Sequence, residues 1–171
     1  SRTPIFDRDT IDLFGLLNAN AYQKGAWVLH MLRSQLGDET FFKGIRNYYE
    51  AHKNSTASTE DLRAALEKAS GKDLRTFFAR WVYDSGHPQY ELTWQWLRRK
   101  ELRVVLKQVQ PGNVFLDPLR MTISTPNGIR DVVLKPSSKQ LIETIHSAEK
   151  PIRIEVDTRN TLLKEVTVKA L

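Results

Sequence analysis

Four histidines, His30, His52, His87 and His146, are the side chains best suited to hold a metal or move protons at neutral pH. They lie far apart, and none is paired with a second histidine at metal-helix spacing, so there is no HExxH pattern. His30 falls in an apolar, helix-like stretch and reads as a packed or surface residue. The chain has no cysteine, which excludes a disulfide framework, a thiolate metal site and a cysteine nucleophile. It has no GxSxG elbow for a serine nucleophile and no glycine-rich phosphate loop. The acidic neighbours Asp38-Glu39 and Glu60-Asp61 fit helix starts, where the macrodipole favours carboxylates, better than paired catalytic acids. Phe77, Phe78, Trp81 and Tyr83 read as core rather than as a stacking platform. By periodicity alone Tyr22 is one more residue of an amphipathic helix. The 171 residues therefore hold no self-contained active site that these patterns reveal, and no metal or cofactor is expected on this chain.

The elements that position these side chains divide the chain in two. Residues 1–88 contain 9 Ala and 11 Val, Ile and Thr, whereas residues 89–171 contain 2 Ala and 22. Alanine favours helix and β-branched side chains favour the pleated sheet. The seam is Ser85-Gly86-His87-Pro88, where Gly86 can end a helix and Pro88 keeps it from resuming. The first half predicts a lead-in, Ser1 to Leu17, and four helices joined by short, antiparallel-type connections. The first runs from about Asn20 to Leu36 with Ala26, Leu29, Leu32 and Leu36 on its inner stripe and Gly37 as its stop. Asp38 opens the second, Ser58 or Thr59 caps the third, and Asp73 opens the fourth. The second half predicts about seven strands, beginning with Tyr90 to Trp96 and restarting near Glu101, Leu119, Ile129, Gln140, Ile152 and Leu162. Asn127-Gly128 reads as a two-residue hairpin turn. The fold class is thus α+β in two segments: an antiparallel helical half-domain, then an all-β antiparallel sandwich.

The net charge of +6 is uneven, but its densest cluster, Arg98-Arg99-Lys100, falls between two strand-like runs and reads as a solvated hairpin turn. Cations alternate with acids elsewhere, so nucleic acid is not an expected partner. Nor is a membrane, since no apolar run approaches the ~18 residues a spanning helix needs. A cysteine-free chain folds in reducing and oxidising compartments alike, so localisation stays open. Ser1 in place of Met points to a processed or excised piece.

One ordered series of residues resembles a known family. Tyr22-Gln23-Lys24-Gly25-Ala26, followed by Leu29, Met31-Leu32-Arg33 and Leu36-Gly37-Asp38, is similar to the Tyr-x-Lys-Gly-Ala helix of the aminopeptidase N family of zinc metallopeptidases, the gluzincin aminopeptidases. The resemblance continues through Phe41, Gly44 and Tyr48, then Asp61-Leu62, Asp73-Leu74, Phe77 and Trp81. It closes on Gly86-His87-Pro88, like the Gly-x-Pro that ends the family's catalytic domain, and the β half is similar in kind to the sandwich that follows.

That resemblance implies residues 1–88 as the carboxy-terminal helical part of a catalytic domain and residues 89–171 as a β-sandwich domain. The family's HExxH, distant glutamate ligand and Gly-x-Met-Glu-Asn motif all precede the tyrosine motif and are absent here. It further implies zinc in the full-length parent, held by an upstream segment, a peptide substrate, and no peptidase activity from this chain alone. Tyr22 matches the family's catalytic tyrosine, whose phenol donates to the oxyanion of the attacked carbonyl. A phenol suits that task because an ordinary pKa of about 10 keeps its proton at neutral pH. Lys24 reads as a surface residue or interhelix salt bridge, and Gly25 as a point where another segment can approach closely. Helices meant to pack on an upstream segment would leave an apolar face open, with Trp81, Phe77, Leu32 and Leu29 as its candidate lining, and the chain could self-associate through it. The alternative is a non-catalytic helix-plus-β-sandwich interaction module in which Tyr22 is structural.

Overall fold

A computed structural model describes residues 4–6 and 20–171; the lead-in expected over Ser1 to Leu17 falls mostly outside them. The chain forms two compact units, Ser1–Gly86 and His87–Leu171.

In the helical unit a π-helical turn, Asn20–Lys24, runs directly into α1, Gly25–Leu36. Gly37 ends α1 at φ 82°, its N–H bonded to the Arg33 carbonyl, and α2 follows at once over Asp38–His52. The Arg33 guanidinium clasps Asp38 with two bonds of 2.8 and 2.7 Å across this break. Helix α3, Thr59–Ser70, starts on a full capping box: Ser58 Oγ accepts from the Asp61 N–H and the Asp61 carboxylate accepts from the Ser58 N–H. It ends on Gly71 in the left-handed region at φ 67°. Helix α4, Arg75–Trp81, is short, and its first turn is fastened by the Asp73 carboxylate on the Arg75 N–H at 2.9 Å.

The inner face of α1 keeps Leu32 of the expected stripe but is otherwise differently placed. Val28, Met31 and Leu32 are buried, whereas Ala26 and Leu29 face solvent. Apolar residues occupy most of this helix's circumference, so two stripes of helical period overlap in the sequence and periodicity cannot choose between them. The core of the unit is completed by Phe41, Leu66, Leu74, Phe78, Trp81 and Val82. Trp81 and Leu32, expected to line an open face, are wholly buried, Phe77 is half-buried, and Leu29 is exposed. The apolar side chains that the unit does present to solvent include Tyr22, Leu29, Phe42 and Tyr49. At the other end of the described chain, the Ile5 and Phe6 N–H groups both donate to the Val82 carbonyl.

The second unit carries seven strands: β1 Gln89–Leu97, β2 Glu101–Gln108, β3 Leu119–Thr125, β4 Gly128–Leu134, β5 Gln140–His146, β6 Arg153–Val156 and β7 Glu165–Ala170. They form two sheets, ordered β5-β2-β1-β7 and β4-β3-β6. Alternation in β1 and β2 sets Leu92 opposite Leu106 and Trp94 opposite Val104 on the buried face. The other sheet contributes Met121, Ile123, Leu134, Ile154 and Val156 to the core. Four strand pairs are antiparallel, but β7 runs parallel to β1. Side-chain alternation fixes which face is buried and is blind to strand direction, so the wholly antiparallel expectation needed this one amendment. The Arg98–Lys100 cluster is an exposed turn joining β1 and β2, with Arg99 and Lys100 at φ 66° and 61°. The β3–β4 hairpin turns on Pro126-Asn127, not on Asn127-Gly128, because Thr125 pairs with Gly128. Proline's fixed φ suits the first turn position and draws the turn back by one residue.

Candidate active site

Tyr22 and Lys24 both lie on the π-helical turn. Such single turns are rare and tend to occur at functional sites, because their wider winding redirects side chains. Here Tyr22 and Gln23 point to solvent while Lys24, two residues on, points inward. The Tyr22 side chain is open, with the residue 64% exposed. Lys24 is only 4% exposed, and its Nζ donates to the Asp84 main-chain carbonyl at 3.0 Å, three residues beyond the end of α4. This corrects the surface or salt-bridge expectation: the lysine's partner is a backbone oxygen, and the charge is buried.

The acceptor is itself held. The Asp84 carboxylate bonds the Arg80 guanidinium one helical turn back and takes the Ser85 N–H at 2.7 Å on its other oxygen. Burial lowers the pKa of Lys24 from its ordinary value; the charge on Asp84 opposes that shift and the charge on Arg80 adds to it. A cation, an anion and a second cation thus meet where the start of α1 touches the segment after α4.

Gly25 was expected to admit a close neighbour. Among the described residues nothing lies within 4 Å of where its Cβ would be. Within the unit a close approach occurs at Gly44, where a Cβ would sit 2.7 Å from Leu66 Cδ2 and 3.3 Å from Leu66 Cα, and it brings α2 and α3 together.

The histidines stay apart. His30 meets the Trp27 ring edge-on, His52 packs near Tyr48, and His87 bonds the Glu165 carboxylate at 2.7 Å. His146 is exposed at the end of β5. Among the described residues no group of three or more His, Cys, Asp or Glu is placed to hold a metal ion. These residues do not fit a zinc centre, and no zinc step can be built on them. What the site offers chemically is an accessible hydrogen-bond donor, the Tyr22 phenol, on a π-helical turn.

Comparison with known proteins decides the family. Residues 5–81 match the peptidase family M1 domain. Aminopeptidase N of Lactococcus lactis is 44% identical over 71 residues, which is 42% of this chain and 8% of that protein. The mitochondrial aminopeptidase 2 of Saccharomyces cerevisiae is 33% identical over 132 residues, 74% of this chain and 14% of that protein. The helical unit belongs to peptidase family M1. In fold, this chain is similar to Legionella pneumophila aminopeptidase A solved with aspartic acid, with a TM-score of 0.76 and 18% identity over 97% of this chain and 20% of that one. The chain therefore spans well under a fifth of the length of the two curated relatives it matches here. The M1 match includes Tyr22, Lys24, Gly44 and Trp81, and it ends at the last residue of α4.

One contributor escaped the sequence altogether: Asp84, because its role is played by a carbonyl that every residue has. The signal that could have pointed to it is Lys24 itself, a lysine four residues before Val28 and seven before Met31, on the stripe that is buried.

Proposed function

We propose that this chain supplies the tyrosine-bearing, carboxy-terminal helical part of an aminopeptidase's catalytic domain over residues 1–88, followed by a β-sandwich domain over 89–171. The substrate class is peptides, cleaved at their amino-terminal residue. Tyr22 is the catalytic group this chain contributes. Its phenol donates a hydrogen bond to the oxygen that becomes negative as the scissile carbonyl turns tetrahedral, and it retains its own proton throughout. The metal of such an enzyme would be held by residues of the whole protein other than those described here. The chain alone is accordingly inactive, and an upstream catalytic-domain segment is its required partner.

The observation that carries this proposal is the mount of Tyr22: an exposed phenol on a π-helical turn whose next inward side chain is bonded to the far end of the unit. The test is Tyr22→Phe in the full-length protein, assayed on aminoacyl amides. Loss of one oxyanion donor should lower kcat about 10²–10³-fold, or roughly 2.7–4 kcal/mol, with KM nearly unchanged. Undiminished turnover would refute the assignment.

A further inference from the structure

A lysine ammonium at 4% exposure is an expensive way to fill space that methionine would fill without desolvating a charge. Its presence calls for a task, and the catalytic role proposed for Tyr22 assigns it none. The geometry supplies one. Lys24 is the last residue of the π-helical turn and the point at which the chain passes to regular α winding in α1. Its Nζ reaches an acceptor 60 residues away in sequence, the Asp84 carbonyl, which the Asp84 carboxylate fixes through Arg80 and the Ser85 N–H. A turn with non-α winding, open on the Tyr22 side, needs an outside tether to hold that winding against relaxation into the more favourable α form. The Tyr22 ring leaves the same turn two residues earlier, so any rewinding rotates the phenol about the helix axis.

We propose that Lys24 is a positioning residue for Tyr22: its bond to the Asp84 carbonyl locks the π-helical turn in the winding that aims the Tyr22 hydroxyl. The proposal rests on the catalytic reading of Tyr22, and the role it adds is distinct from catalysis, since Lys24 points inward and away from the phenol's open side. A displacement of the order of 1 Å in a catalytic group can cost ~10²-fold in rate. Freed from its tether, Tyr22 should therefore lose most of its contribution to kcat while the substrate's ground-state contacts persist.

The experiment is a double-mutant cycle in the full-length protein: Lys24→Met, Tyr22→Phe and both together, with kcat and KM measured separately on an aminoacyl amide. Methionine keeps the unbranched stem and removes only the donor. The expected result is a fall in kcat of about 10–10²-fold for Lys24→Met with KM held within about two-fold, shrinking to less than about three-fold in the Tyr22→Phe background. Lys24→Gln, whose shorter polar side chain falls short of the carbonyl, is the second variant and should show the same dependence on background. An equal loss of kcat in both backgrounds, or none with Tyr22 intact, overturns the positioning role and leaves the tyrosine's own role standing. Variants that both fail to fold assign Lys24 to stability alone and overturn it equally. Unchanged turnover in Tyr22→Phe by itself overturns the catalytic reading, and the positioning role with it.

Discussion

Replacing Asp157 with asparagine exchanges one carboxylate oxygen for an NH₂ group, yet it should strongly destabilise the β unit. Asp157 sits just after β6 at φ 48°, a left-handed conformation that Asp and Asn both tolerate, so the substitution adds little backbone strain. Its carboxylate is 2% exposed and accepts four bonds: from the Thr161 N–H at 2.9 Å and Thr161 Oγ1 at 2.7 Å, from the Leu162 N–H at 3.1 Å, and from Lys164 Nζ at 2.7 Å. The Lys164 side chain is itself only 6% exposed. An amide can keep one oxygen on one pair of donors but must turn its NH₂ toward the other, leaving the buried ammonium with no counter-charge. Removing one member of a buried ion pair costs about 3–5 kcal/mol, a large share of a small unit's stability. Urea denaturation of the full chain, followed by tryptophan fluorescence, reads this as a lower midpoint. The pH dependence has a definite sign. Burial alone would raise the Asp157 pKa, but the bonds from Lys164 and Thr161 outweigh it and hold the carboxyl below its ordinary range. Its contribution is therefore complete above an unfolded-state pKa of about 3.9 and is lost as pH falls through the lower, folded value. The gap between the wild type and Asp157→Asn should be constant at neutral pH and close only in strong acid. A loss below about 1 kcal/mol at pH 7 would refute the buried pair as a fastening for the β6–β7 connection.

Gly44→Ala sets helix propensity against packing. Alanine would gain up to ~1 kcal/mol in α2, but its Cβ would meet the fully buried Leu66 at its Cδ2 (2.7 Å) and at its backbone Cα (3.3 Å), so a net loss of about 1–2 kcal/mol is expected in the urea midpoint; a gain would show the α2–α3 contact to be soft. Tyr90→Phe should go the other way. The Tyr90 hydroxyl is buried with no hydrogen-bond partner among the described residues, and burial with the nearby charge of Asp117 raises its pKa. Deleting it should leave stability unchanged or raise it by up to about 2 kcal/mol, and a loss above ~1 kcal/mol would mean the hydroxyl is engaged.

Elements that end on local chemistry were legible in the sequence. Ser58 with Asp61 three residues on is a capping box, and Gly37 and Gly71 stop their helices at φ 82° and 67°. Strand starts at Glu101, Leu119 and Gln140 fell where alternation resumed after a turn or a proline. Features that depend on the far side of a contact were not. The burial of Val28 and Met31 in place of Ala26 and Leu29 follows from what α1 packs against, and the parallel placing of β7 follows from the route of the connection before it. Edge protection shows the same limit. Glu143 on β5 pairs with Val104, in the buried row of β2, so a strand that reads as ordinarily amphipathic carries a half-buried charge on its inner side. A charge so placed discourages a second sheet from adding to that edge.

The candidate site divides along the same line. Tyr22 could be singled out because a motif marks it, but nothing in periodicity separates it from any amphipathic tyrosine. Its distinguishing property is physical: it is open while the lysine two residues on is closed. An α-helical pair at i and i+2 already diverges by about 200°. Divergence alone therefore explains nothing about the π winding, and a regular helix would serve if only opposite faces were wanted. What the wider turn adds is a particular height and rotation for residue 22 relative to a lysine whose tip is pinned at Asp84. Pinning the inner residue and freeing the outer one is a sensible division where the outer group must meet a developing charge in one place. On the proposed reading the donor Tyr22, its tether Lys24 and Gly25, where α winding begins, act as one mechanical unit, so that changing the tether should be felt first at the tyrosine.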